Sequence, residues 1–165
     1  MMQFLRKENI FLFVSLGLFV LLQRFLDPNY WITGTKTDFE TMKVKVKDDK
    51  VILRYHLLPG DWAYALLAET PILPDTKHMT LDVHGQNKRE KLYIDLFDQD
   101  TDSSLRWVTT VDWDGWRHLD LPYDVFHNDG EKNISLTDID SLKISVESQA
   151  ALAGEIQLRE YNQAP

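Results

Sequence analysis

The sequence predicts an all-β fold, an antiparallel two-sheet sandwich preceded by one apolar N-terminal helix. Three observations predict it. Apolar residues beyond residue 40 recur with period two rather than 3.6. Turn clusters rich in Gly, Asn, Asp and Ser separate the apolar stretches at short intervals. No helical run lies between them, as an α/β fold would require.

The chain has 165 residues and reads as one folded domain. It begins MMQFLRKEN and continues IFLFVSLGLFVLL, an uncharged run over 10–22. Thirteen residues make about 20 Å of helix, short of the roughly 30 Å bilayer core. A secretory signal would need small residues at a cleavage site, and 23–33 offers none. A buried core helix is a poor fit for a run with no polar face. A signal anchor works if both flanks contribute, with Arg6 and Lys7 snorkelling at one interface and Tyr30 and Trp31 at the other. The expected organisation is a cytoplasmic tail over 1–9, a transmembrane signal anchor over 10–26 and a linker over 27–34. A β-sandwich over 35–165 would stand on the periplasmic or extracytoplasmic side. Expected partners are the lipid bilayer and integral membrane proteins, since Gly17 suits close helix packing.

In the domain itself, Met42, Val44 and Val46 alternate with Lys43, Lys45 and Lys47. Asp48-Asp49 forms a turn and a second strand covers 51–58. A more fully apolar run at 62–69 is closed by Pro71 and Pro74. Further strands are expected over 79–84, 91–97, 105–111, 116–121, 142–147 and 155–161, which makes nine. Leu136 to Ile139 reads as a helical turn.

Composition excludes several functions. With 18 Lys+Arg against 26 Asp+Glu the net charge is −8, unsuited to nucleic acid. Residues 1–34 hold three basic and two acidic side chains, so the remainder carries −9. The absence of cysteine removes thiol chemistry and Cys-ligated metals. Five histidines, His56, His78, His84, His118 and His127, form no zinc-protease spacing. There is no G-x-S-x-G and no phosphate-cradling loop. Asp98, Asp100 and Asp102 open like a calcium loop, but Ser103 replaces its glycine and Thr109 its terminal glutamate. The better reading is an acidic hairpin turn. Asn133-Ile134-Ser135 is a glycosylation tripeptide, common by chance. The chain is expected not to be an enzyme.

The second half carries a series of motifs in order. Gly115, Trp116, Leu119, Leu121 and Pro122 form a Gly-Trp strand after an acidic turn. Phe126, Leu136, Ile139, Leu142 and Ile144 follow, then a last strand with Gly154, Ile156 and Leu158. Over about 79–160 this order resembles the jelly-roll sandwiches of the galactose-binding-like superfamily. Within it the pattern resembles certain carbohydrate-binding modules and the complex I intermediate-associated protein family. The resemblance implies a glycan site on a concave sheet. That sheet would carry Tyr93, Asp95 and Phe97, then Arg106 or Trp107, then His118 and Asp120. Of the turn pair Trp113 and Trp116, Trp116 is expected as a lid on the sandwich and Trp113 as the freer ring. Each aromatic is equally ordinary core payload. The resemblance also allows a structural calcium, with no ligands assigned. It implies two functions. One is a non-catalytic accessory or assembly subunit of a membrane complex, favoured because no catalytic domain is attached. The alternative is a membrane-tethered polysaccharide-binding module.

Overall fold

The computed structural model describes residues 19–35, 41–73, 75–130 and 132–165. Strands β1 (Trp31–Thr35), β4 (Asp61–Leu67), β10 (Ser141–Ser148), β6 (Lys91–Asp98), β7 (Ser103–Thr110) and β9 (His127–Asp129) form one sheet in that order. The second sheet runs β2 (Thr41–Lys47), β3 (Lys50–Leu57), β11 (Leu152–Ala164), β5 (His78–Gln86) and β8 (Asp114–Pro122). Every pairing is antiparallel. The nine expected strands all form. The short strands β1 and β9, at the two edges of the six-stranded sheet, were not expected.

Alternation explains the layering. Val51, Leu53, Tyr55 and Leu57 of β3 point inward and meet Leu92, Ile94 and Leu96 of β6 and Leu142, Ile144 and Val146 of β10 in one core. Each fully buried large side chain contributes about 1.5–3 kcal/mol. The Gly-Trp motif follows the same rule, with Leu119 and Leu121 buried and His118 and Asp120 facing out. Asp48 and Asp49 have φ of 51° and 57°, the signature of a type I′ turn, and pin β2 to β3 with Lys47 opposite Lys50. The lysines of β2 guard an open sheet edge. In β11 the register shifts between Arg159 and Asn162, with Glu160 at φ 56°. This bulge reverses the alternation, so Tyr161 and Gln163 turn inward.

The N-terminal expectation is corrected where it falls within the described residues. Residues 19–25 are helical, and among the described residues no helix is long and apolar enough to cross a membrane. Leu21 and Phe25 are buried, and the Phe25 ring stacks on Tyr161 at 5.5 Å. Trp31 meets Phe25 edge-on at 5.9 Å and its Nε1 donates to the Phe25 carbonyl at 3.0 Å. Trp31 is therefore core, not an interfacial anchor. Tyr30 packs against the same core under the Arg24 guanidinium, 5.3 Å from its ring centre. Arg24 in turn pairs with Glu69 at 2.9 Å. The stretch expected as a linker holds a 3-10 turn, Pro28–Tyr30, capped by the Asp27 carboxylate, and then β1. Arg6 and Lys7 lie outside the described residues.

Phe25→Ala is expected to lower unfolding free energy by about 3–5 kcal/mol, the cost of emptying a fully buried aromatic site. Denaturant titration of the full chain measures it; a loss below 1 kcal/mol would mean that the helix is not part of the domain.

Candidate functional site

The two outer faces of the sandwich differ. On the five-stranded sheet the polar side chains satisfy one another. His118 Nδ1 lies 2.7 Å from Asp82, which also accepts from Arg159 Nε at 3.1 Å. His78 Nδ1 is 2.5 Å from Asp120, and Arg54 pairs with Glu155 at 2.6 Å. Trp116 lies among them, its ring 4.1 Å from the Arg159 guanidinium and 5.2 Å from His84.

The six-stranded sheet presents a half-open pocket of about 210 Å³ lined by Trp62, Tyr93, Arg106, Lys143, Ser145 and Glu147. Register builds it. Ser145 of β10 stands between Tyr64 of β4 and Tyr93 of β6, and Glu147 is opposite Trp62. One step along, Lys143, Asp95 and Arg106 form a row across β10, β6 and β7. Trp62 is 39% exposed, a large apolar surface open to solvent, and stacks on Tyr64 at 5.6 Å. The Tyr64 ring lies where a Cβ on Gly34 would be, 2.4 Å away, so only glycine there lets the ring lie flat on β1.

Charge at the site is arranged around Asp95, whose carboxylate is wholly buried. Arg106 donates to it twice, through Nε at 2.7 Å and Nη2 at 3.1 Å, and Lys143 Nζ lies 3.5 Å away. Arg106 also pairs with Asp129 of β9. The Asp95 hydrogen bonds are the main cause that raises the Arg106 pKa. The cations of this row also cover the rings beneath them, Arg106 over Tyr93 at 5.1 Å and Lys143 over Phe97 at 4.1 Å. The Tyr93 hydroxyl donates to Glu147. Burial, and then this bond, push the Tyr93 pKa up to about 12. The phenol therefore stays a neutral donor, and the site offers apolar rings beside fixed donors and acceptors.

Of the sequence-predicted residues, Tyr93, Asp95, Phe97 and Arg106 share this face. Trp107 does not; it stands opposite Ile94 and packs on the core, because it is one residue out of phase with Arg106. His118 and Asp120 are on the other sheet, since β8 pairs with β5 and not with β7. Trp113 is buried, its Nε1 3.4 Å from the Val83 carbonyl and Arg117 4.0 Å above its ring. Trp116 is the more open of the pair, the reverse of the expectation. The reason is Gly85, whose missing Cβ leaves space that Val111 and Trp113 fill. Trp62 was missed. The run at 62–69 reads as more fully apolar than its neighbours, but Ala63 and Ala65 face the core while Trp62 and Tyr64 face out. Small residues alternating with aromatics were the available signal.

The Asp98–Asp102 segment is a hairpin turn. The Asp98 carboxylate accepts from the Asp100 amide at 3.0 Å and the Thr101 hydroxyl at 2.6 Å. Among the described residues, no three His, Cys, Asp or Glu converge to hold a metal ion.

Comparison with solved structures finds the same sandwich in carbohydrate-binding modules. The family 11 module from Clostridium thermocellum, in complex with a β-1,3-1,4-mixed-linked tetrasaccharide, is 10% identical over 82% of this chain and 88% of its own, with a TM-score of 0.63. The family 30 module of a Clostridium thermocellum cellulosomal cellulase is 16% identical over 82% and 91%, with a TM-score of 0.54. A β-1,2-glucanase from Parabacteroides distasonis matches over 82% of this chain but 23% of its own, at 14% identity and a TM-score of 0.60. No protein-family model and no curated protein sequence matches the chain. The fold is thus a two-sheet β-sandwich of the carbohydrate-binding-module type. The likeness to the complex I intermediate-associated family rests on the sequence alone.

Tyr93 ionises at a higher pH in the fold than its ordinary value of 10.0, and burial raises Tyr55, Tyr123 and Tyr161 as well. Raised folded values mean stability that is complete below about pH 10 and lost as pH climbs through about 12. Phenolate absorbance is expected to lag behind that of free tyrosine until the chain unfolds, and Tyr93→Phe should remove one of these four delayed components.

Proposed function

We propose that the protein is a non-catalytic polysaccharide-binding module that lays a glycan chain across the outer face of the six-stranded sheet. The observation that carries this reading is the exposed Trp62 ring beside Tyr93, in a pocket edged by Arg106, Lys143, Ser145 and Glu147. A sugar ring has an apolar face of axial hydrogens and an equatorial rim of hydroxyls. Flat rings cover the first, and fixed donors and acceptors meet the second. The site is half-open rather than enclosed, which suits the middle of a chain as well as its end. The likeness to modules such as the tetrasaccharide-bound family 11 structure supports the reading at the level of fold.

Affinity electrophoresis of the full chain in mild detergent, against mixed-linked β-glucan, β-1,2-glucan and soluble cellulose derivatives, tests it. Retardation by at least one is expected, with no release of reducing ends. Trp62→Ala and Tyr93→Ala should each weaken binding about tenfold or more while leaving Trp62→Ala thermal unfolding near wild type. Equal binding by Trp62→Ala and wild type would sink the assignment of this face.

A membrane tether is the second reading, carried by Phe19, Val20 and Leu22, which are exposed on the helix whose other side docks into the core. In this reading the apolar run of 10–22 lies in a bilayer or against an integral membrane partner, with the sandwich outside the cytoplasm. The full chain should then stay with the membrane fraction through an alkaline carbonate wash; quantitative release would refute the tether.

A further inference from the structure

The cations of the pocket described above are paired, Arg106 with Asp95 and Asp129 and Lys143 with Asp95. Beside it lies a second pocket, of about 300 Å³, whose cations are not. It is lined by Lys88, Arg89, Lys91, Thr110 and Gln149 among others, and it shares Glu147 with the first. Lys91 is two residues along β6 from Tyr93, about 7 Å, and stands in register between Glu147 and Thr110. The two pockets are therefore successive stations on one sheet face.

Its charge is a product of the fold. The local sequence Lys88-Arg89-Glu90-Lys91 contains a carboxylate that should temper the cations. Glu90 is instead turned into the core, 1% exposed, where it accepts the Tyr55 hydroxyl at 2.6 Å. Lys88, Arg89 and Lys91 remain exposed. Among the described residues none of the three has a carboxylate within ion-pair distance, since Glu147 is held by the Tyr93 hydroxyl and by Gln149 Nε2 at 3.0 Å. The backbone holding them is pinned on both sides. The Asn87 amide donates to the Trp113 carbonyl at 2.7 Å and the Arg89 amide to Val111 at 3.0 Å. Asn87 and Arg89 both occupy the left-handed region, at φ 50° and 64°. The left-handed region is unfavourable for arginine, and the surrounding structure must hold it there. In a chain of net charge −8, a rigid corner of three cations is a local departure and not the general character of the surface.

We infer that the ligand is an acidic polysaccharide, whose neutral portion lies on Trp62 and Tyr93 and whose anionic substituent, a carboxylate or sulfate ester, is received by Lys88, Arg89 and Lys91. This rests on the glycan-binding reading of the six-stranded sheet and adds the substrate class. Exposed ion pairs are individually weak and screened by salt. The cations thus act as a selectivity element beside the aromatic platform.

The test uses the full chain in mild detergent with three probes: mixed-linked β-1,3-1,4-glucan, its carboxymethylated derivative and its sulfated derivative. At low salt a charged derivative is expected to bind about tenfold tighter than the neutral glucan, the sum of two or three exposed ion pairs. That ratio should fall to about one in Arg89→Asn/Lys91→Gln, and also at high salt. Asparagine tolerates the left-handed backbone, so the double variant is expected to keep the wild-type unfolding transition. Preference for the carboxymethylated or for the sulfated probe identifies the substituent, and either supports the inference. A ratio near one in the wild type, with the neutral glucan bound, overturns the inference alone. A high ratio that survives in the double variant also overturns it, because the charge is then read elsewhere. Failure of all three glucans to bind overturns the glycan-binding reading and this inference together.

Discussion

The period of two along a β-strand is the constraint on which this molecule turns. A sandwich has one core and two outer faces, and each strand must supply both at once. The choice made in β4 has the largest consequence. Ala63 and Ala65 take the inward positions, so the bulky residues of that strand, Trp62 and Tyr64, are left outside. On the five-stranded sheet the outward residues are mostly charged and close on one another, as in the His118, Asp82 and Arg159 group. One face is thereby satisfied by its own ion pairs. The other keeps the Trp62 ring open to solvent among the described residues, where contact with an apolar surface would release the water on it.

A wholly buried carboxylate at the centre of the exposed face needs its own account. Desolvating Asp95 is affordable only because Arg106 meets it with two donors and Lys143 adds a second positive charge. The pairing fixes more than charge. It lays Arg106 over Tyr93 and Lys143 over Phe97, so two rings on β6 are held by the cations that neutralise the residue between them. A site whose side chains are already locked loses little rotamer entropy when a ligand arrives. Arg106 thus fixes Tyr93 as well as neutralising Asp95.

The fold was legible because alternation and turn chemistry both report on the backbone. The Asp48-Asp49 turn and the Leu119/Leu121 phase could be read from residue types alone. The site was legible in part. Tyr93, Asp95, Phe97 and Arg106 follow from the β6–β7 hairpin, a local pairing with register set by its turn. His118 and Asp120 could not be placed, since β8 joins β5 through a long-range pairing that no local pattern encodes. Trp113 and Trp116 exchanged roles because of Gly85, which is nearly thirty residues away in sequence. Trp62 was available in the Ala-aromatic alternation and was hidden by a run in which both faces are apolar. Glu90 is the sharpest case. A lone acid in a basic tetrapeptide reads as solvated, and only the Tyr55 hydroxyl beneath it turns it inward.

The N-terminal segment shows why hydropathy alone is ambiguous. A helix apolar on every side reads identically whether lipid or protein meets it. Leu21 and Phe25, one turn apart, go into the sandwich, and Phe25 completes an aromatic cluster with Trp31 and Tyr161 at the end of the core. Phe19, Val20 and Leu22 stay exposed on the same helix. Amphipathic surface helices usually carry polar residues at such positions. One stripe of this helix belongs to the domain, and the other stands open among the described residues, which is the observation behind the proposed tether.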